Sequence, residues 1–168
     1  MNEIVELSQK TITIARNDFL NVKGSVDTNV YFIQSGSLQV YVLNESEEQI
    51  IRFGYRNNLI VALDSFLTGK PSQYYIQAIK KTILKVITKE QLNDFLKADT
   101  NKILWTRLLE NLVLQQLERE IDLLTHSPKE RYDRVLSRSP QLFQEIPNRY
   151  IANYLRMTPE TLSRLKKS

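Results

Sequence analysis

Near the end of the chain, Pro159, Glu160, Ser163, Arg164 and Lys167 recur at spacings that place them on one side of a helix, opposite Leu162 and Leu165. A carboxylate, a hydroxyl, a guanidinium and an ammonium on one helical face do hydrogen-bonding chemistry with base edges and phosphates. Nothing comparable suggests bond-making chemistry. The chain has no Cys, one His and four Gly, with no phosphate-cradling glycine loop. It offers no paired carboxylates in a setting for acid–base work, so a non-enzyme is expected. His126, with no second His or Cys nearby, reads as a helix-terminal residue rather than a ligand or base. Glu45, Glu47 and Glu48 fall in a polar stretch between two strand-like runs and read as a solvated hairpin tip, so no metal site is expected.

Two short crossed helices over Asn148–Lys167 would position that polar face. Ile151, Leu155, Met157, Leu162 and Leu165 fall where such helices bury apolar side chains against each other, and Ala152 falls at the crossing. Thr158 supplies an N-cap with Pro159 at the first helical position. In the turn between them the chain passes through positive φ and normally uses Gly; Arg156 stands there instead, at a strain cost of about 1 kcal/mol. The second helix then presents Pro159, Glu160, Ser163, Arg164 and Lys167 outward, free to enter a major groove. The apolar spacing alone would also serve an ordinary helical hairpin closing a core.

At 42% hydrophobic and 25% charged residues, the 168-residue chain can bury a core as one large domain or two small ones. No apolar run is long enough to span a bilayer, and the start MNEIVELSQKT lacks the basic and apolar blocks of a secretory signal. A cytoplasmic protein without a membrane partner is therefore expected. The absence of Cys excludes disulfides, thiolate zinc sites and cysteine-ligated iron–sulfur clusters. Charge is unevenly divided. Residues 126–168 carry nine Lys or Arg against four Asp or Glu, a balance of +5, whereas residues 1–125 carry fourteen against fifteen. The basic end coincides with the helix-turn-helix pattern, as phosphate contacts would require.

Taken in order, the chain begins with strands. TITIA and NVYFIQSGSLQVYVL, between Thr11 and Val42 and just beyond, are rich in β-branched and aromatic residues, with turn signals at Asn17-Asp18, Lys23-Gly24 and Ser35-Gly36. Leu59 to Leu67 reads as a short helical insert, before strands resume at Tyr74–Ile79 and Ile83–Ile87. Thr88 and Gln91 form a capping box for a helix whose apolar face is Leu92, Phe95 and Leu96. Asn101 to Thr125, without Gly or Pro, reads as one helix of about seven turns. Leu104, Trp105, Leu108, Leu109 and Leu112 make a broad early face. Leu114, Leu117, Ile121 and Leu124 alternate at three and four, the seam of a coiled-coil dimer, although a core helix can show the same spacing. Ser127-Pro128 with Glu130 restarts the chain as a new domain. The expected fold is α+β: an antiparallel β-roll over 1–98, a long connecting and dimerisation helix over 99–127, and an all-α helix-turn-helix domain over 128–168.

VYFIQSGSLQVYV, residues 30–42, resembles the strand–Gly–strand signature of cyclic-nucleotide-binding β-rolls. With the long helix and IANYLRMTPETLSR it makes the chain, from about Thr11 onward, similar to the Crp/Fnr family of transcription regulators. KERYDRVL and IPNRYIANYL are similar to a short, wingless Bacteroidetes branch whose chains stop soon after the recognition helix. The resemblance implies a homodimer on double-stranded DNA, reading an inverted repeat, with RNA polymerase as a further partner. It also implies that Glu160 and Arg164 face bases, Arg164 suited to guanine and Glu160 to the cytosine amino group, while Thr158 and Arg149 sit near phosphates.

Family members that bind cyclic AMP use a Gly-Glu pair before the short helix and an Arg-Ser or Arg-Thr after it. Here the corresponding regions read Arg56-Asn57-Asn58-Leu59 and Gln73-Tyr74-Tyr75-Ile76. Asn57, Asn58, Leu59, Gln73, Tyr74 and Tyr75 thus become the implied effector pocket. With no Arg for the phosphate, cyclic AMP is not expected to bind, which leaves either no cofactor or an unknown small-molecule effector. The alternative reading is a dimeric ligand-binding or protein-interaction module whose helix-turn-helix is degenerate and reads no specific DNA.

Overall fold

Alternation of β-branched and aromatic residues with polar ones turns the first half of the chain into strands. The computed structural model describes residues 2–167; Met1 and Ser168, the outermost residues of the expected first and last domains, lie outside that range. After a short helix α1 (Asn2–Glu6), the strands are β1 (Lys10–Ile14), β2 (Phe19–Asn21), β3 (Val30–Ser35), β4 (Ser37–Asn44), β5 (Glu47–Tyr55), β6 (Leu59–Ile60), β7 (Tyr75–Ala78) and β8 (Thr82–Ile87). They form two antiparallel four-stranded sheets, ordered β1-β8-β3-β6 and β2-β7-β4-β5. One apolar cluster draws on both sheets: Tyr31, Ile33, Ile60, Leu84 and Val86 from the first, Leu38, Val40, Ile76 and Ala78 from the second. The period-2 alternation of strands is what sends these residues to one side.

Turn chemistry fixes the registers. Gly36, between β3 and β4, has φ of 91°, and a Cβ there would stand 2.4 Å from the carbonyl oxygen of Lys81, so no other residue fits. The β4–β5 hairpin turns at Glu45, with φ of 57°. Leu59 and Ile60 depart from the expected helical insert. They pair as strand β6 with Phe32 and Tyr31, and the helix α2 starts only at Leu63, running to Thr68. Burial explains the difference, since Ile60 is part of the core cluster and a strand edge was available to it. Helix α3 (Lys89–Phe95) opens with the expected Thr88–Gln91 capping box.

Helix α4 (Asp99–Leu124) runs for 26 residues, and the chain divides into two compact units within it, between Leu104 and Trp105. The second unit contains the rest of α4 and four shorter helices: α5 (Pro128–Arg138), α6 (Leu142–Glu145), α7 (Asn148–Tyr154) and α8 (Pro159–Leu165). Ser127 caps α5 by accepting a hydrogen bond from the Glu130 amide, with Pro128 at the first helical position. The unit's core is Tyr132, Val135, Leu142, Ile146, Ile151, Ala152, Tyr154, Leu155 and Leu162. Full burial of each large apolar side chain contributes about 1.5–3 kcal/mol. The architecture is α+β, with antiparallel sheets first, a long helix, and helices to the end.

Along the second half of α4 the apolar residues at three and four spacing face outward. Leu114, Leu117, Ile121 and Leu124 are 59%, 49%, 46% and 77% exposed, while the buried residues there are charged, Arg119 and Asp122. The seam is therefore left uncovered by the chain itself. No helix among the described residues is long and apolar enough to cross a membrane.

Candidate nucleic-acid interface

Thr158 decides where the last helix begins. Its backbone is extended, its side chain accepts a hydrogen bond from the Thr161 amide at 3.2 Å, and Pro159 follows at the first helical position. Leu162, one turn in, is fully buried, as are Ile151 and Leu155 of the preceding helix end, and Ala152 is 1% exposed. Met157 and Leu165, expected in the same core, are half-buried at its margin. With that side sealed, Pro159, Glu160, Ser163 and Arg164 of α8 are exposed, together with Thr158 before it and Lys167 after it. Arg149, on α7, is exposed as well and lies over the Tyr150 ring, 4.5 Å from its centre. Residues 147–167 carry five Lys or Arg and a single carboxylate, Glu160. The structure thus places all seven sequence-derived candidates on exposed positions of α7, α8 and their flanks.

The turn between α7 and α8 has the backbone that its sequence resists. Arg156 has φ of 55°, and the Met157 amide returns to the Ala152 carbonyl at 3.0 Å, a helix-ending arrangement that Gly usually serves. Buried charge stands behind this turn. Arg119 donates to the Tyr154 carbonyl at 2.7 Å and covers the Tyr154 ring at 3.6 Å. Burial, the largest influence, pulls its pKa below the ordinary guanidinium value. Asp122, fully buried, takes Arg134 at 3.1 Å and also pairs with Arg138, and Glu118 reaches the same two arginines at 2.8 and 3.1 Å. Burial pulls the Arg138 guanidinium down and the Asp122 carboxylate more than offsets it, leaving its pKa raised.

Sequence reasoning missed Arg119, Asp122 and Arg131 as interior residues. A signal for one of them was present: Arg131 and Val135 lie four apart and therefore on one face of α5, so a charge stands in phase with the apolar stripe.

The implied effector residues separate into two groups. Asn57, with φ of 68°, and Asn58 form the β5–β6 turn; the Asn57 amide donates to the Ile33 carbonyl and the Asn58 side chain accepts from the Tyr55 amide. Leu59 pairs with Phe32. Gln73 and Tyr74 lead into β7, where Tyr75 stacks on Tyr41 with ring centres 5.2 Å apart. No hydrogen bond or ring contact joins the two groups. Asp64 of α2 fills the loop after that helix with its own anion. Its carboxylate accepts from the Ser65 amide, the buried Ser72 hydroxyl and the Gln73 amide at 2.8, 2.8 and 2.7 Å. These three donors are therefore engaged by Asp64, and the one cation of the loop, Lys70, is exposed. This is a poor fit for a cyclic phosphate, which needs a fixed cation or free donors to replace its hydration. No group of three or more His, Cys, Asp or Glu among the described residues is arranged to hold a metal ion.

Residues 11–99, just over half of the chain, match the family model for the cyclic nucleotide-binding domain. No curated protein sequence matches. Among solved structures the chain is similar to FixK2 from Bradyrhizobium japonicum, at 15% identity and a TM-score of 0.78, covering 94% of this chain and 82% of that one. A CooA mutant from Carboxydothermus hydrogenoformans gives 15% and 0.73, covering 98% and 77%. TTHB099 from Thermus thermophilus, described as a transcriptional regulator of the CRP family, gives 15% and 0.68, covering 93% and 82%. At these identities the likeness establishes a shared fold across both units.

Proposed function

This chain belongs to the cyclic nucleotide-binding domain family, and from that premise we propose that it is a DNA-binding transcription regulator acting as a homodimer on an inverted repeat. The observation that carries the reading is α8: a sealed apolar side, and an outer side of Pro159, Glu160, Ser163 and Arg164 on a basic unit. Arg164 can hold guanine through paired donors, Glu160 can accept from a cytosine amino group, and the exposed Thr158, Arg149 and Lys167 would meet phosphates. The uncovered stripe of Leu114, Leu117, Ile121 and Leu124 supports pairing with a second copy through α4. Residues 1–98 would serve as the sensor, 99–127 as the dimerisation helix and 128–168 as the DNA-binding domain. Cytoplasmic location and RNA polymerase as a partner belong to the same reading. Cyclic AMP is not the expected effector, a reading supported by the bonds of the Ser72 hydroxyl and the Gln73 amide to Asp64, which leaves either no cofactor or an unknown small molecule.

Selection of bound fragments from random DNA, with sedimentation of the free protein, tests the proposal. A dimer enriching an inverted repeat, its half-sites about 34 Å apart on one face of the duplex, is expected. A monomer that still binds one sequence tightly would refute the dimer. Salt-dependent binding with no enriched sequence would instead favour an interaction module that has lost its readout.

A further inference from the structure

Arg131 is only 8% exposed, and its guanidinium is directed entirely at main-chain carbonyls. Nε donates to Leu155 at 2.8 Å and Nη2 to Arg156 at 3.1 Å, both in the α7–α8 turn. Nη1 donates to Thr125 at 2.5 Å and His126 at 3.0 Å, both in the segment between α4 and α5. No carboxylate takes part in these bonds. One planar group therefore joins two segments that are distant in sequence, and on one side it holds the carbonyl of the strained Arg156.

We propose that Arg131 is a positioning residue that clamps the α7–α8 turn to the C-terminal end of α4 and thereby sets the orientation of α8. The last carbonyls of a helix have no partner within it, and here the ends of α4 and α7 share one donor. A bond to each side from a single rigid fork fixes their relative placement, which separate waters or flexible side chains would not do. Lys keeps the charge but is a point donor on a flexible stem and cannot span both carbonyl pairs. Displacement of a positioned reader by about 1 Å is enough to misalign bidentate base contacts.

The functional half of this inference rests on the DNA-binding reading, and the test separates the two. Arg131→Lys and Arg131→Gln are compared with the unaltered chain by amide hydrogen exchange, sedimentation and binding to the DNA fragment selected by that chain. Expected for the Lys variant are an unchanged oligomeric state and exchange about tenfold or more faster at residues 157–162. Exchange in β3 and β8 should stay as it was, and affinity should fall about tenfold. Restoration toward normal affinity should be partial with Lys and absent with Gln. A folded Lys variant with unaltered exchange at 157–162, or with unaltered affinity, overturns the proposal. Failure of both variants to fold also overturns it, because Arg131 would then be a requirement of the fold and not a setting of α8. If the unaltered chain selects no DNA, the functional reading fails while the exchange measurement still decides the clamp.

Discussion

Arg164 and Lys167 lie on the same exposed side of the last helix region but differ in what their head groups can recognise. A planar guanidinium can meet two acceptors of one guanine, whereas an ammonium is a point charge that meets any phosphate. Arg164→Ala should therefore cost about 1–3 kcal/mol at one base pair per half-site and little at the others. Lys167→Ala should weaken all sequences alike and lower the salt slope by about 1. Binding of both variants to a set of single-base operator changes checks this, and identical profiles would remove the assignment of the reading face. Arg156 calls for a different substitution. Its φ of 55° costs an L-residue about 1 kcal/mol, and Gly recovers most of that while adding freedom to the unfolded chain. Arg156→Gly should raise stability by about 0.5 kcal/mol, read as a higher urea midpoint at unchanged slope; a lower midpoint would show that the side chain supports the turn.

At the scale of elements, the C-terminal half of α4 carries charge inward and apolar residues outward, the reverse of an ordinary surface helix. Asp122 is enclosed with the half-buried Arg134 and Arg138, and removing it would leave two partly desolvated cations sharing only Glu118. Asp122→Ala should destabilise the second unit by about 3–5 kcal/mol. The exposed Lys129–Asp133 pair on α5 provides the comparison: Asp133→Ala should change stability by less than about 1 kcal/mol. Equal effects in thermal denaturation would mean that burial of Asp122 contributes nothing. The outward stripe makes its own prediction. Leu117→Asp, at a position 49% exposed in the single chain, should leave the monomer fold intact and abolish dimerisation in sedimentation.

For the molecule as a whole, membership of the cyclic nucleotide-binding domain family and the chemistry of the loop after α2 point in opposite directions. A buried cyclic phosphate needs a charge-assisted partner, and in its absence binding should be weaker by about 2–5 kcal/mol, enough to move a micromolar ligand into the millimolar range. Asp64 adds a carboxylate to this loop and already takes the Ser72 hydroxyl and the Gln73 amide. Titration with cyclic AMP and cyclic GMP to about 1 mM should therefore leave the melting temperature without a saturating rise. A rise that saturates at micromolar nucleotide would restore the ordinary ligand of the family to this chain.

Local signals in the sequence were sufficient for the parts that local physics governs. The Thr88–Gln91 box, the Ser127 and Thr158 caps, the turn residues Asn17 and Gly36, and the positive φ at Arg156 are all decided within a few residues of chain, where side chain and backbone compete directly. The outward polar side of α8 follows from the same logic, because burying Leu162 leaves helical geometry no choice about Glu160, Ser163 and Arg164. Leu59 and Ile60 form a strand and not the helix their local sequence suggests, because a two-residue strand exists only where β3 offers an edge. Only the tertiary structure decided the interior charges. Arg119 and Asp122 look in sequence like surface residues, and Arg131, although in phase with the apolar stripe of α5, shows no partner there, since burying a charge is unfavourable unless partners converge on it. Besides the nearby Thr125 and His126 carbonyls on Arg131, those partners are the Tyr154, Leu155 and Arg156 carbonyls and the Arg134 and Arg138 side chains, 12 to 35 residues away in sequence. Periodicity sees residues three or four apart, whereas the compensation that permits a buried charge is assembled by the fold.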